Sequence, residues 1–210
     1  MSNFQTFKTL MEQYLAGRGY TRSLSSSIEE ASYSSACQDS LCKSDLEVIN
    51  MDCFAKKGYR KIILSDSLSE DDSINTADAF MVNKDNEWYF IEFKYAKISN
   101  NSSKVSVLKK AYSNAYAVMD VLYSMKDTEY VYKGFDYENP VDFFRNRVNY
   151  ILVFSEKDNP SHVIQMRNYK YKNENYLPEF MARLKGYIYK EAYAMTESVF
   201  EKNFLNSFCY

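Results

Sequence analysis

The sequence predicts an α/β sandwich built on a mixed sheet of four to five strands with helices on both sides, and three observations carry that reading. Two apolar segments, over 76–83 and 87–95, flank the polar turn Lys84-Asp85-Asn86, the pattern of an antiparallel hairpin. The run over 148–155 is continuously apolar, as expected of a strand buried on both faces. Between them, Val105, Leu108, Tyr112, Ala115, Met119 and Leu122 recur at helical spacing, which predicts a long helix over 104–125. Helices, three strands, helix, strand, helix is the resulting order, and helices laid on a sheet bury both of its faces in three layers.

The remaining elements follow in chain order. Phe7, Leu10, Met11, Tyr14 and Leu15 share one helical face over 4–16, and Gly17 and Gly19 end that helix. The serine-rich stretch 23–35 reads as a loop leading into a short helix near 28–37. Ser44-Asp45-Leu46-Glu47 has the form of a capping box, so a second helix is expected from there to Lys57-Gly58, with Leu46, Ile49, Cys53 and Phe54 on one face. A strand over 59–65 and an acidic loop over 66–75 lead to the hairpin. Asn139 and Pro140 open a short helix over 140–145. A short strand is expected over 162–166, then a final helix over 179–206 with Leu184, Ile188, Met195 and Val199 facing inward. All of this reads as one domain, 1–210, with its core over 44–155. Residues 1–43 are expected to be an N-terminal helical addition, and 156–210 a C-terminal strand and long helix.

Composition narrows the function. With 210 residues, 46% apolar, five glycines and three prolines, the chain is not collagen-like, mucin-like or disordered. No apolar run approaches the roughly 18 residues that span a bilayer, and no basic stretch followed by an apolar block opens the chain. The expectation is a cytoplasmic protein with no membrane partner. A net charge of −2 argues against a sequence-independent nucleic-acid coat. Basic residues do concentrate in 91–210, seventeen against fourteen acidic, whereas 1–90 holds nine against fourteen. The cysteines at 37, 42, 53 and 209 form no C-x-x-C pair and His162 is the sole histidine, so a zinc site and histidine-activated nucleophiles are set aside.

The informative chemistry lies in the hairpin, where Asp78, Glu92 and Lys94 interrupt otherwise apolar strands. Side chains alternate along a strand, so Glu92 and Lys94 share a face while Ile91, Phe93 and Tyr95 take the other. A three-residue turn with Asn86 in the left-handed region pairs Asn83 with Glu87, Val82 with Trp88 and Phe80 with Phe90, and sets Asp78 opposite Glu92. A two-residue turn slips the register by one and sets Phe93 there instead. The first register brings two carboxylates and an ammonium to within about 5 Å of one another across the strands. Paired carboxylates repel unless a cation joins them, and Mg²⁺ is held by one or two carboxylates plus phosphate oxygens. Such an ion activates water and neutralises charge at phosphorus, while Lys94 positions the water or stabilises the transition state. That is the chemistry of phosphodiester hydrolysis. A salt-bridged solvent face is the plain alternative, although Trp88 and Phe90 on the same face are poorly suited to water.

Asp78, the hairpin, Glu92-Phe93-Lys94, a helix before them and a long helix after them resemble the PD-(D/E)XK nuclease superfamily over 44–155. The resemblance implies a restriction-endonuclease-like α-β-β-β-α-β core and a nuclease dependent on Mg²⁺, with Mn²⁺ as substitute, acting on DNA or RNA. It implies Asp78, Glu92 and the backbone carbonyl of Phe93 as metal ligands and Lys94 as the residue assisting water. Ala77 stands where the family often has proline. A further glutamate ligand from the first core helix would be Glu47, which the capping box explains equally well, with Glu29 and Glu30 as alternatives. Lys109, Lys110 and Tyr116, with Tyr112, are nucleic-acid contacts by the same resemblance; a core Tyr112 and solvated lysines are the plain alternative. The basic and aromatic residues of 167–172 suit single-strand stacking or an ordinary polar loop. A second functional reading is a non-catalytic protein of the same fold that binds a protein partner as inhibitor, antitoxin or scaffold. Its acidic balance and 20 tyrosines point that way.

Overall fold

The computed structural model describes residues 1–59, 74–171 and 174–208. Its strands, in chain order, are β1 (Ser25–Ser27), β2 (Tyr33–Ser34), β3 (Asp39–Ser40), β4 (Glu47–Asn50), β5 (Ala79–Val82), β6 (Trp88–Lys94), β7 (Val148–Phe154) and β8 (Glu191–Thr196). Among the described residues β2 and β3 form a small ribbon, and the other six form one sheet in the order β1-β4-β5-β6-β7-β8. Pairing is antiparallel from β1 to β6 and parallel from β6 to β8. The sheet is therefore mixed, as expected, and it reaches six strands through β1, β4 and β8, none of which the sequence pattern marks as a strand. Every residue of β7 is buried, in keeping with its unbroken apolar run.

Helices cover the two faces. The helices are α1 (Asn3–Ala16), α2 (Ile28–Ala31), α3 (Met51–Cys53, continuing as π-helical Phe54–Tyr59), α4 (Asn101–Met125), α5 (Pro140–Arg147) and α6 (Pro160–Tyr171), followed by C-terminal helical turns over Glu197–Val199, Phe200–Leu205 and Asn206–Phe208. Trp88 and Phe90 of β6 point into a core shared with Phe7, Met11, Val107, Ala111 and Phe144. Tyr89, Ile91 and Phe93 point to the other side, against Ile28, Val48, Phe200 and Leu205. Trp88 anchors the first core, with its ring centroid 5.0 Å from Phe7 and 4.8 Å from Phe143. Its indole N–H is not wasted, since it donates to Asn86 Oδ1 at 3.1 Å. No helix among the described residues is long and apolar enough to cross a membrane.

Several expected elements differ. Residues 47–50 form strand β4 and not the first turn of a helix. Val48 and Ile49 are adjacent β-branched residues, and a strand between β1 and β5 gives each of them its own buried face. The helix begins at Met51, where the Asn50 side chain accepts from Cys53 N at 2.9 Å. A capping box does exist upstream, between Ser27 and Glu30, within the stretch read as a loop. The buried stripe of α4 is rotated to Val107, Ala111, Ala115, Val118 and Leu122, leaving Val105 half-exposed, because the alanines let the helix lie close to the sheet.

The segment around His162 is helical, and His162 Nδ1 lies 2.5 Å from Tyr176 Oη. The long final helix is replaced by a 3₁₀ turn (Glu179–Leu184), strand β8 and the C-terminal turns. Glu191–Thr196 alternates small and large residues, and pairing with the edge of β7 decides its conformation. Region 1–43 likewise contributes β1 and the ribbon besides α1. The strand expected over 59–65 and the acidic loop lie outside the described residues, apart from Tyr59 and the short segment 74–75.

Candidate functional site

The hairpin takes the three-residue turn. Asn86 has a φ of 57°, Asn83 N donates to Glu87 O at 2.9 Å, and Val82 and Phe80 pair with Trp88 and Phe90. Asp78 stands just before β5. Its N–H donates to Ile91 O at 3.0 Å, and its Oδ2 accepts from Phe93 N at 2.7 Å. That bond turns the carboxylate across the strand end toward Glu92. By strand alternation the Phe93 carbonyl leaves on the same edge as its N–H, the edge that Asp78 occupies. Upstream, Ala77 N donates to Asn114 Oδ1 at 3.2 Å, so α4 fixes the backbone that carries Asp78.

Helix α4 also supplies a second ammonium. Lys110 Nζ lies 3.1 Å from Asp78 Oδ1 and 2.9 Å from Glu92 Oε2, bridging the two carboxylates. Lys94 Nζ lies 3.1 Å from Glu92 Oε1 and 3.5 Å from Ser106 Oγ. Ser106, Lys110 and Asn114 are spaced by four, so one helical face aims all three at the open end of the β5–β6 pair. Glu92 has no solvent exposure, whereas Asp78, Lys94 and Lys110 retain 22%, 19% and 17%. Although Lys94 neutralises it, Glu92 Oε1 receives no hydrogen bond, and Asn114 Nδ2 is also buried without one.

Burial dominates the electrostatics. It pushes the Glu92 carboxyl up to about 7, with the Asp78 charge adding to it and Lys110 and Lys94 opposing it. Burial also raises Asp78, against the pull of Lys110 and the Phe93 N–H. For Lys110, burial works against the charged form, but Glu92 and Asp78 outweigh it and hold the ammonium charged. The result is a quartet of two carboxyl groups, both held above the usual carboxylate range, and two lysines.

Two members of the quartet reach open space. Asp78 and Lys94, with Phe93 and Tyr95, line a cleft of about 510 Å³ together with 31–37, which include the ribbon residue Tyr33, whereas Glu92 and Lys110 lie behind its lining. A larger hollow of about 750 Å³ beside β8 and α6 contains none of the four residues. Among the described residues no group of three or more His, Cys, Asp or Glu side chains converges on a metal position. Two carboxylates still suit Mg²⁺, which completes its shell with carbonyls, water and phosphate. The cation already lodged between the carboxylates fits that donor chemistry.

No family model, curated protein or solved structure matches the chain.

The other expected residues are dispersed. Glu47 does not join the site. The β4–β5 register, Asn50 to Ala79 and Ile49 to Phe80, runs it toward the Val82 end, away from Asp78. There it accepts from Gln5 Nε2 at 2.6 Å, Lys8 Nζ at 2.5 Å and Ser25 Oγ at 2.6 Å. Glu29 pairs with Lys43 at 3.3 Å, and Glu30 caps α2. Lys109 projects into solvent, one step around the helix from Lys110. Tyr116 is 65% exposed and borders a separate apolar hollow with Met119, Tyr123 and Tyr137. Of these three expected nucleic-acid contacts on α4, Lys110 alone reaches the quartet. Tyr112 packs against the core, and 167–171 are helical and not a loop. Ser106 and Asn114 were not anticipated. Their signal was the polar i, i+4 series crossing an otherwise apolar helix face.

Proposed function

We propose that this chain is a divalent-metal-dependent nuclease with a restriction-endonuclease-like core, hydrolysing phosphodiester bonds of DNA or RNA. The observation that carries the reading is the convergence of Asp78, Glu92 and Lys94 at one end of the β5–β6 pair, beside an open cleft. Asp78, Glu92 and the Phe93 carbonyl would hold Mg²⁺, with Mn²⁺ as substitute. When bound, the ion supplies an acidified water and a counter-charge for the phosphate. The protein's own contribution is positional. The Phe93 N–H orients Asp78, burial fixes Glu92, and Lys94, anchored by Glu92 and Ser106, holds its ammonium at the cleft. From there Lys94 donates to the attacking water or to the oxygen that gains charge in the transition state. A buried ion pair is a poor stabilising device compared with apolar packing, so a purely structural role leaves the placement of Glu92 unexplained.

A second reading keeps the fold and removes the catalysis: a protein that binds a protein partner. Lys110 favours it, because it already neutralises both carboxylates without any metal. Incubation of supercoiled plasmid, single-stranded DNA and RNA with the wild type in Mg²⁺ and in chelator separates the two. Metal-dependent cleavage that disappears in Asp78→Asn and Lys94→Met supports the nuclease. An inert wild type on all three substrates supports the partner-binding reading.

A further inference from the structure

We infer that Lys110 is the resident counter-ion of the Asp78–Glu92 pair and that a divalent cation loads this site only by displacing it. The inference rests on the metal reading of the site proposed above. Lys110 comes from a different element than the two carboxylates, and its ammonium contacts one oxygen of each, at 3.1 and 2.9 Å. A divalent ion joined to the same two carboxylates competes for the same charge and the same lone pairs. Both cations cannot be held at full strength, so whatever the Lys110 contacts contribute is subtracted from the affinity for metal.

Three features make this competition a property of the fold and not of a mobile surface lysine. Lys110 is largely buried, and the polar face of α4 places it between Ser106 and Asn114, one turn to either side. Asn114 ties the same helix to the backbone at Ala77, next to Asp78, so helix and carboxylate are held in register. Lys94 already serves Glu92 Oε1, which leaves Lys110 as the partner of Glu92 Oε2 and of Asp78 Oδ1. Removing Lys110 therefore leaves Glu92 with Lys94 and takes from the neighbouring Asp78 the ammonium that contacts it. That arrangement destabilises the free protein and favours any cation that can replace the lost charge. A lysine with a purely structural role predicts the first consequence and not the second.

The test is a calorimetric titration of Mg²⁺ into the full chain, as wild type, Lys110→Met, Lys110→Gln and Lys110→Arg, with thermal unfolding of each in Mg²⁺ and in chelator. Displacement predicts that Lys110→Met and Lys110→Gln bind Mg²⁺ about tenfold more tightly than the wild type or beyond. It also predicts that the ion raises their melting temperature more than it raises that of the wild type. Lys110→Arg, which keeps the cation, is expected to bind as weakly as the wild type, and adding Asp78→Asn to Lys110→Gln to abolish the gain. Lys110→Gln retains a donor for Glu92 and carries the test should Lys110→Met be too unstable to purify. Equal Mg²⁺ affinity in wild type and Lys110→Gln overturns the inference alone. No binding by any of them at millimolar Mg²⁺ overturns the inference together with the metal reading.

Discussion

Glu92→Gln offers a prediction whose size can be worked from the structure. The folded protein holds the Glu92 carboxyl near 7, mainly through burial, against an ordinary value of 4.5. Each tenfold change in proton affinity is worth about 1.4 kcal/mol, so charging Glu92 in the native state costs about 3 kcal/mol more than in the unfolded chain. The sign follows from the direction. Because the native state binds this proton more tightly, the contribution to stability is fully present below about 4.5 and is lost as pH rises through about 7. Between about pH 5 and pH 8 the wild type should lose about 2 to 3 kcal/mol through this residue, a dependence that Glu92→Gln lacks. Asp78, also raised, acts in the same direction, whereas Glu47, Glu87 and Glu156, held low, act in the opposite direction at lower pH. For that reason the quantity to measure is the difference between wild type and variant. Urea unfolding followed by circular dichroism at several pH values in chelator supplies it. Parallel curves for the two proteins would refute a buried, proton-binding Glu92.

Three further outcomes are expected. Trp88→Ala should cost about 3 to 5 kcal/mol in urea unfolding, since it empties the centre of an aromatic cluster and leaves Asn86 without its indole donor. Asn114→Ala should cost about 1 to 3 kcal/mol by leaving the buried Ala77 N–H unbonded. It should also weaken Mg²⁺ binding in calorimetry, because the backbone carrying Asp78 loses its tie to α4. Lys94→Met should lower the rate of metal-dependent cleavage by about 10²-fold or more while leaving substrate affinity in filter binding near that of the wild type.

The parts of this protein that were legible in its sequence are those set by local chemistry. Asn86 tolerates the left-handed conformation, so the turn fixed the hairpin register and with it the approach of Asp78 to Glu92. The unbroken apolar run of β7 has the pattern of a strand covered on both sides, and every residue of it is buried. Short segments were decided elsewhere. The spacing of Leu46, Ile49 and Cys53 satisfies a helix, yet the neighbours β1 and β5 make a strand of 47–50 and carry Glu47 away from the site. Residues 191–196 are equally ambiguous until β7 is beside them. Lys110 is the most instructive case. Its sequence position showed a basic residue on a long helix, and the crossing of α4 over the sheet end made it the bridge between two carboxylates. Nothing local to 101–125 specifies that crossing.

The most direct test of a cation site shared by Asp78 and Glu92 is a crystal structure of the protein soaked in Mn²⁺, read from its anomalous difference map. The expected result is a single strong peak in contact with both carboxylates and the Phe93 carbonyl, with the Lys110 ammonium moved off the pair. A map with no peak there at saturating Mn²⁺, and with Lys110 still bridging Asp78 and Glu92, would contradict a shared cation site.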